Sequence, residues 1–178
     1  AGDRLVGMAV DFAAEDAVDR IVERLRALGV TPEGLVNNAR CLDFLKLDAD
    51  GLVARSDFLG EFLVDVVAPY HLTMALSRMA GDRLRAVVNI GSQYGTVAAN
   101  PALYEAPESQ SFVNYSVAKA ALAQLTRELA VRLARLGTRV NCVAFGGVEG
   151  RADKAFRDRY ASMVPAGRML RESEVAGP

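Results

Sequence analysis

The sequence has little from which to build a metal centre or a disulfide framework. Its two cysteines, Cys41 and Cys142, stand far apart and form no C-x-x-C pair, which argues against both a zinc ribbon and a disulfide scaffold. The single histidine, His71, cannot supply a centre made of several imidazoles; it follows Pro69 in a helical pattern and is given no part in the chemistry. No metal is expected. An excess of one charge is missing too. The 21 basic and 22 acidic residues are mixed along the chain, with a formal net charge of -1 and no basic stripe to follow a phosphate backbone. No apolar run approaches the roughly 18 residues that a bilayer requires. The opening "AGDRLVG" has neither the basic start nor the apolar core of a signal peptide. Nucleic acid and membrane are therefore set aside as partners, and a soluble cytoplasmic protein is expected. What is present suits one globular domain: 178 residues, 51% hydrophobic and 24% charged, enough for a core and too apolar for disorder.

The apolar pattern switches between short runs and helical spacing. "RLVGMAVDF" reads as a buried strand over residues 4 to 10, ending at Asp11. Val18, Ile21, Val22, Leu25 and Leu28 predict a helix from Ala14 to Leu28, with Glu15 and Asp16 at its positive end and Gly29 as its stop. Leu35 and Val36 form a second strand running into Asn37 and Asn38. Phe58 to Met79 is helical in pattern, although Pro69 should break or kink it. "LRAVVNIGS" is a third strand, Tyr115 to Leu136 a long helix ending at Gly137, and "RVNCVAF" a fourth strand ending at Gly146 and Gly147. Strands alternating with helices predict an α/β fold, a doubly wound, mostly parallel sheet with helices on both faces. In such sheets ligands bind beyond the carboxyl ends of the strands. Asp11, Asn37, Asn38, Ser92 and the Gly146-Gly147 turn all fall at such ends.

Within "FVNYSVAKAAL", Tyr115 and Lys119 are four residues apart on one helical face. The ammonium there would favour the phenolate form of the tyrosine. The spacing alone is more often that of a half-buried aromatic beside a solvated charge, and by itself decides nothing.

Four segments in order, "VNNAR", "VVNIGS", "YSVAK" and "RVNCVAFGGV", resemble the short-chain dehydrogenases/reductases, in the branch that carries N-N-A-G and Y-x-x-x-K. The resemblance implies a single Rossmann-type domain over 1–178, NAD or NADP as cofactor, and interconversion of a small-molecule secondary alcohol and its ketone. It implies that Tyr115 is the general acid/base, that Lys119 tunes it and holds the nicotinamide ribose, and that Ser92 hydrogen-bonds the substrate oxygen. Asp11 and Phe12 would border the adenine, Asn38 and Ala39 would pass the cofactor with their backbone, and the Gly146–Val148 turn would meet the nicotinamide amide. Asn37 is equally readable as a cofactor contact or as a structural bridge between strands. The helices Phe58 to Met79 and Tyr115 to Leu136 match those of the family's usual interface, which implies a homo-dimer or homo-tetramer.

The chain also departs from the family. Arg40 stands in place of a glycine, Asp65 in place of an asparagine that supports a proton relay, and Phe145 in place of a proline. Asp65 would alter that relay or serve as counter-ion to Lys119. The long loop "VAANPALYEAPESQS" would overhang the pocket and is similar to that of members linked to surface-sugar modification, which implies a sugar-like substrate. No glycine turn or first two strands precede Ala1, and the last strand is not reached, so an N- and C-terminally incomplete domain is expected. Two alternatives remain: a silent scaffold or nucleotide sensor, favoured by Arg40 and Asp65, and a nucleotide-sugar epimerase or dehydratase of the extended branch, which "NNAR" and "RVNCVAFGG" oppose.

Overall fold

In the computed structural model, which describes residues 5–150 and 152–176, the elements follow in the order α1 Ala17–Ala27, β1 Gly34–Asn37, α2 Arg55–Phe62, α3 Ala68–Ala80, β2 Ala86–Ser92, α4 Pro107–Gln110, α5 Val113–Leu133, β3 Arg139–Phe145 and α6 Lys154–Met163. The three strands form one sheet in the order β1-β2-β3, parallel throughout. Its register aligns Leu35 with Val87 and Val140, and Asn37 with Asn89 and Cys142. Partners in register point to the same face. The apolar row packs in a core with Val22 of α1, Leu72 and Leu76 of α3, and Leu129 and Leu133 of α5. The sheet is thus flanked by helices that cover the row of Leu35, Val87 and Val140.

Residues 5–10 differ from expectation. They form no strand, and Leu5 is 97% exposed. The first residue of that reading, Arg4, lies outside the described residues. An apolar run expresses a preference for extended backbone, but a strand exists only when its N–H and C=O groups find a ladder partner. Among the described residues β1 pairs with β2 alone, and no backbone bond reaches residues 5–10.

The long apolar stretch holds together where a break was expected. Between α2 and α3 the chain makes a π-turn, Leu63–Val67, and the Ala68 N–H reaches back five residues to the Leu63 carbonyl. Pro69 follows in the first turn of α3. The slipped register accommodates a residue that has no N–H and crowds the carbonyl four positions earlier. The resulting helical rod, Arg55–Arg83, is long and apolar enough by composition to cross a membrane. Its buried residues Val64, Val66, Leu72 and Leu76 show where that apolarity is used.

On α5, Ala118, Leu122, Leu129 and Leu133 are all buried in the chain itself, so Leu129 faces the core and not a partner subunit. Val113, Val117 and Val131 are the exposed large apolar residues of this helix.

Candidate active site

The site is assembled where β2 ends. Ser92 closes the strand and caps the short turn Gln93–Gly95, its Oγ accepting from the Tyr94 N–H at 3.2 Å. That turn lies directly against α5. A Cβ at Gly95 would sit 2.8 Å from the Lys119 carbonyl oxygen, so only glycine lets the two backbones approach. The contact brings Ser92 to the helix that carries Tyr115 and Lys119.

Tyr115 and Lys119 open onto different cavities. Tyr115 lines a cavity of about 210 Å³ together with Ser92, Arg40, Tyr94, Tyr104 and Gly146. Lys119 lines one of about 230 Å³ with Phe12, Asn37, Asn38, Ala39 and Asp65. The Lys119 ammonium is 5.7 Å from the Tyr115 ring centre, donates to the Ile90 carbonyl at 3.1 Å, and pairs with Asp65 Oδ2 at 2.9 Å. Of the two placements open to Asp65, the structure has the counter-ion. Both members of the pair are buried, Lys119 at 5% exposure and Asp65 at 2%. Burial raises the Asp65 carboxyl above the usual carboxylate range, and the Lys119 ammonium opposes that rise.

The remaining residues divide between the cavities and the scaffold. Asn37 bridges strands: its Nδ2 donates to Asn89 Oδ1 at 2.8 Å and to Thr73 Oγ1 at 3.4 Å, while Asn89 Nδ2 donates to Thr126 Oγ1 at 2.9 Å. Asn37 also borders the Lys119 cavity. Asp11 lines neither cavity; its Oδ1 accepts from the Ala13 N–H at 2.9 Å and shapes the turn ahead of α1. Val148 forms an isolated bridge to Leu170 behind the glycine turn. Gly146 borders the cavity, and Phe145 stands beside it there.

Sequence reasoning missed Glu61. Asp57, Glu61 and Asp65 recur every fourth residue, and all three are buried. Asp57 has Lys46 at 3.5 Å and Asp65 has Lys119, but Glu61, 1% exposed, has no hydrogen-bond partner for either oxygen among the described residues. The signal was a run of acids at helical spacing in an apolar stretch, readable as a solvated face. Burial, then the charge of Asp65, push the Glu61 carboxyl up to about 7, against Arg40 and Lys119. In the unfolded chain the group titrates near 4.5. Between these values the folded chain keeps a proton that the unfolded chain has lost, so stability is full below pH 4.5, falls as pH rises, and levels off above about 7. The loss amounts to roughly 3 kcal/mol. Glu61→Gln should therefore raise the melting temperature at pH 8 by roughly 5–10 °C while changing it little near pH 4.5. Equal effects of the substitution at both pH values would contradict a proton held on Glu61.

Comparison with known proteins adds four relationships. A family model described as enoyl-(acyl carrier protein) reductase matches residues 1–178. The cis-4-hydroxycyclohexanecarboxylate dehydrogenase of Sinomonas cyclohexanicum is 32% identical over 186 residues, covering 99% of this chain and 68% of that protein. Sorbitol dehydrogenase of Cereibacter sphaeroides is 26% identical over 194 residues, 99% of this chain and 70% of that protein. Among solved structures, a short-chain dehydrogenase from Leptospira borgpetersenii with bound NAD+ superposes with a TM-score of 0.82 at 25% identity, over 94% of this chain and 64% of that one. The chain thus spans about two thirds of the length of the proteins it matches.

Proposed function

The chain belongs to the short-chain dehydrogenase/reductase family, with its Rossmann-type parallel sheet, and on that premise we propose that its parent protein is an NAD(P)-dependent oxidoreductase interconverting a secondary alcohol and a ketone. One observation carries the reading: Ser92 and Tyr115 meet on one cavity while Lys119, one turn further along α5, reaches a second cavity lined by Asn37, Asn38 and Ala39. Residues 1–178 contribute to one nucleotide-binding domain.

The residues present fit a nicotinamide nucleotide. Lys119 donates one N–H to the Ile90 carbonyl and is ion-paired with Asp65, which leaves a donor for a ribose hydroxyl. Phe12, Asn38 and Ala39 line the wall on which the adenosine side would rest. When bound, the nucleotide supplies or accepts the hydride. Tyr115 gives a proton to the carbonyl oxygen during reduction and takes it from the alcohol during oxidation. Ser92 Oγ has its hydroxyl proton free to donate to that oxygen, since its one bond here is as acceptor. Asp65 keeps the Lys119 ammonium charged and in place.

The relatives named for sorbitol and for cis-4-hydroxycyclohexanecarboxylate support a small hydroxyl-bearing substrate. A sugar-like molecule also suits the paired phenols Tyr94 and Tyr104, 2.8 Å apart on the cavity wall. Titration of the full-length protein with NADH and NADPH, followed by turnover on secondary alcohols, tests the assignment. Nucleotide binding without hydride transfer to any ketone would favour a sensor, and absence of binding a scaffold. The protein is proposed to act in the cytoplasm as a homo-dimer or homo-tetramer, with the exposed valines of α5 in the interface. Sedimentation of the full-length protein should show a species of at least twice the chain mass, and a monomer at micromolar concentration would refute this.

A further inference from the structure

We propose that Arg40 is a carboxylate-binding residue of the substrate pocket, so that the alcohol and ketone handled there are a hydroxy acid and its oxo acid. This deepens the oxidoreductase reading and rests on it.

The guanidinium carbon of Arg40 lies 4.6 Å from the centre of the Tyr115 ring. Such stacking holds the planar group by cation–π attraction while leaving its N–H edge free to bind. None of those N–H groups makes a hydrogen bond, and no carboxylate lies within 4.0 Å, among the described residues. Glu61 and Asp65 feel the charge of Arg40, but both are buried and one is committed to Lys119. The unmatched fork faces a lining without charge of its own: among the described residues, Arg40 is the only ionic side chain around the cavity that holds Ser92 and Tyr115. Among the described residues it is equally the only one around the smaller adjoining space beside Tyr104 and Ser116. A planar fork with parallel N–H donors matches a carboxylate in bidentate geometry. Because the fork rests on the ring of Tyr115, a carboxylate held there lies only a few bonds from a carbinol at the phenol oxygen. That geometry recognises an acid whose hydroxyl and carboxylate are close, and leaves an uncharged analogue without its anchor.

The test compares 3-hydroxybutyrate and 2-hydroxycyclohexanecarboxylate, each against its primary amide, in the full-length protein saturated with its nucleotide. The wild type should prefer acid over amide in kcat/KM by about 10²-fold, mainly through KM, and Arg40→Gln should reduce that ratio by at least about 30-fold. Arg40→Lys should fall between, since it keeps the charge and loses the fork. Calorimetry with cyclohexanecarboxylate, which cannot react, supplies a readout independent of turnover: binding should be lost in Arg40→Gln. A wild-type ratio near one would overturn the proposal. It would equally be overturned if Arg40→Gln weakened nucleotide binding and left the acid preference intact, because the anion would then be a cofactor phosphate. Arg40-dependent binding of cyclohexanecarboxylate without turnover of any alcohol would sink the oxidoreductase reading and leave the carboxylate site standing.

Discussion

Tyr115→Phe should cut turnover on a confirmed substrate by about 10²-fold or more while leaving nucleotide binding nearly unchanged. The substitution keeps the ring on which Arg40 rests and removes only the transferable proton. Lys119→Ala should damage turnover and nucleotide affinity together. The same ammonium is proposed to hold the ribose and to act on the phenol, and its loss also strands a buried carboxylate at Asp65. Lys119→Arg should not rescue it, since a planar guanidinium cannot occupy a pocket shaped around a compact ammonium touching both Asp65 and the Ile90 carbonyl. Wild-type turnover in Tyr115→Phe would mean that another group delivers the proton.

Asp65→Ala should destabilise the fold by about 3–5 kcal/mol, because it leaves the Lys119 ammonium buried without its counter-charge. Asp65→Asn should cost less. An amide oxygen can still accept from the ammonium, and removing the negative charge at this position also relieves one cause of the raised Glu61 titration. Urea unfolding at pH 7 should rank wild type above Asp65→Asn above Asp65→Ala. If alanine costs no more than a typical surface substitution, the pair at 2.9 Å is not a stabilising contact in the folded chain.

Much of the arrangement was legible because it is local. Helical periodicity located α1 and α5, and the short apolar runs before Asn37, Ser92 and Gly146 located the three strands. Ser92, Tyr115 and Lys119 could be placed at the carboxyl end of the sheet by counting elements. What could not be read depends on partners distant in sequence. Residues 5–10 carry a strand's composition, and only the ladder decides whether a strand forms. The bridge from Asn37 to Asn89, and on from Asn89 to Thr126, joins residues 52 and 37 apart in sequence, which no local pattern displays. Asp65 was left between relay and counter-ion for the same reason. Glu61 was invisible because an acid at helical spacing signals exposure, and its burial follows from how α2 lies against α5.

The π-turn at Leu63–Val67 also works as a phase shifter. α2 makes its contacts with α5, and α3 makes its contacts with α1, so one continuous rod must present two stripes at different azimuths. An uninterrupted α-helix advances by about 100° per residue and would carry a single stripe past both neighbours. Holding one extra residue in the turn offsets the first half of the rod from the second. Forced into ordinary pitch with all its residues kept, the rod would swing α2 by about that angle against α3. Such a regular rod would still be helical by circular dichroism, yet it could no longer seat Asp65 on Lys119 and Leu72 in the core at once.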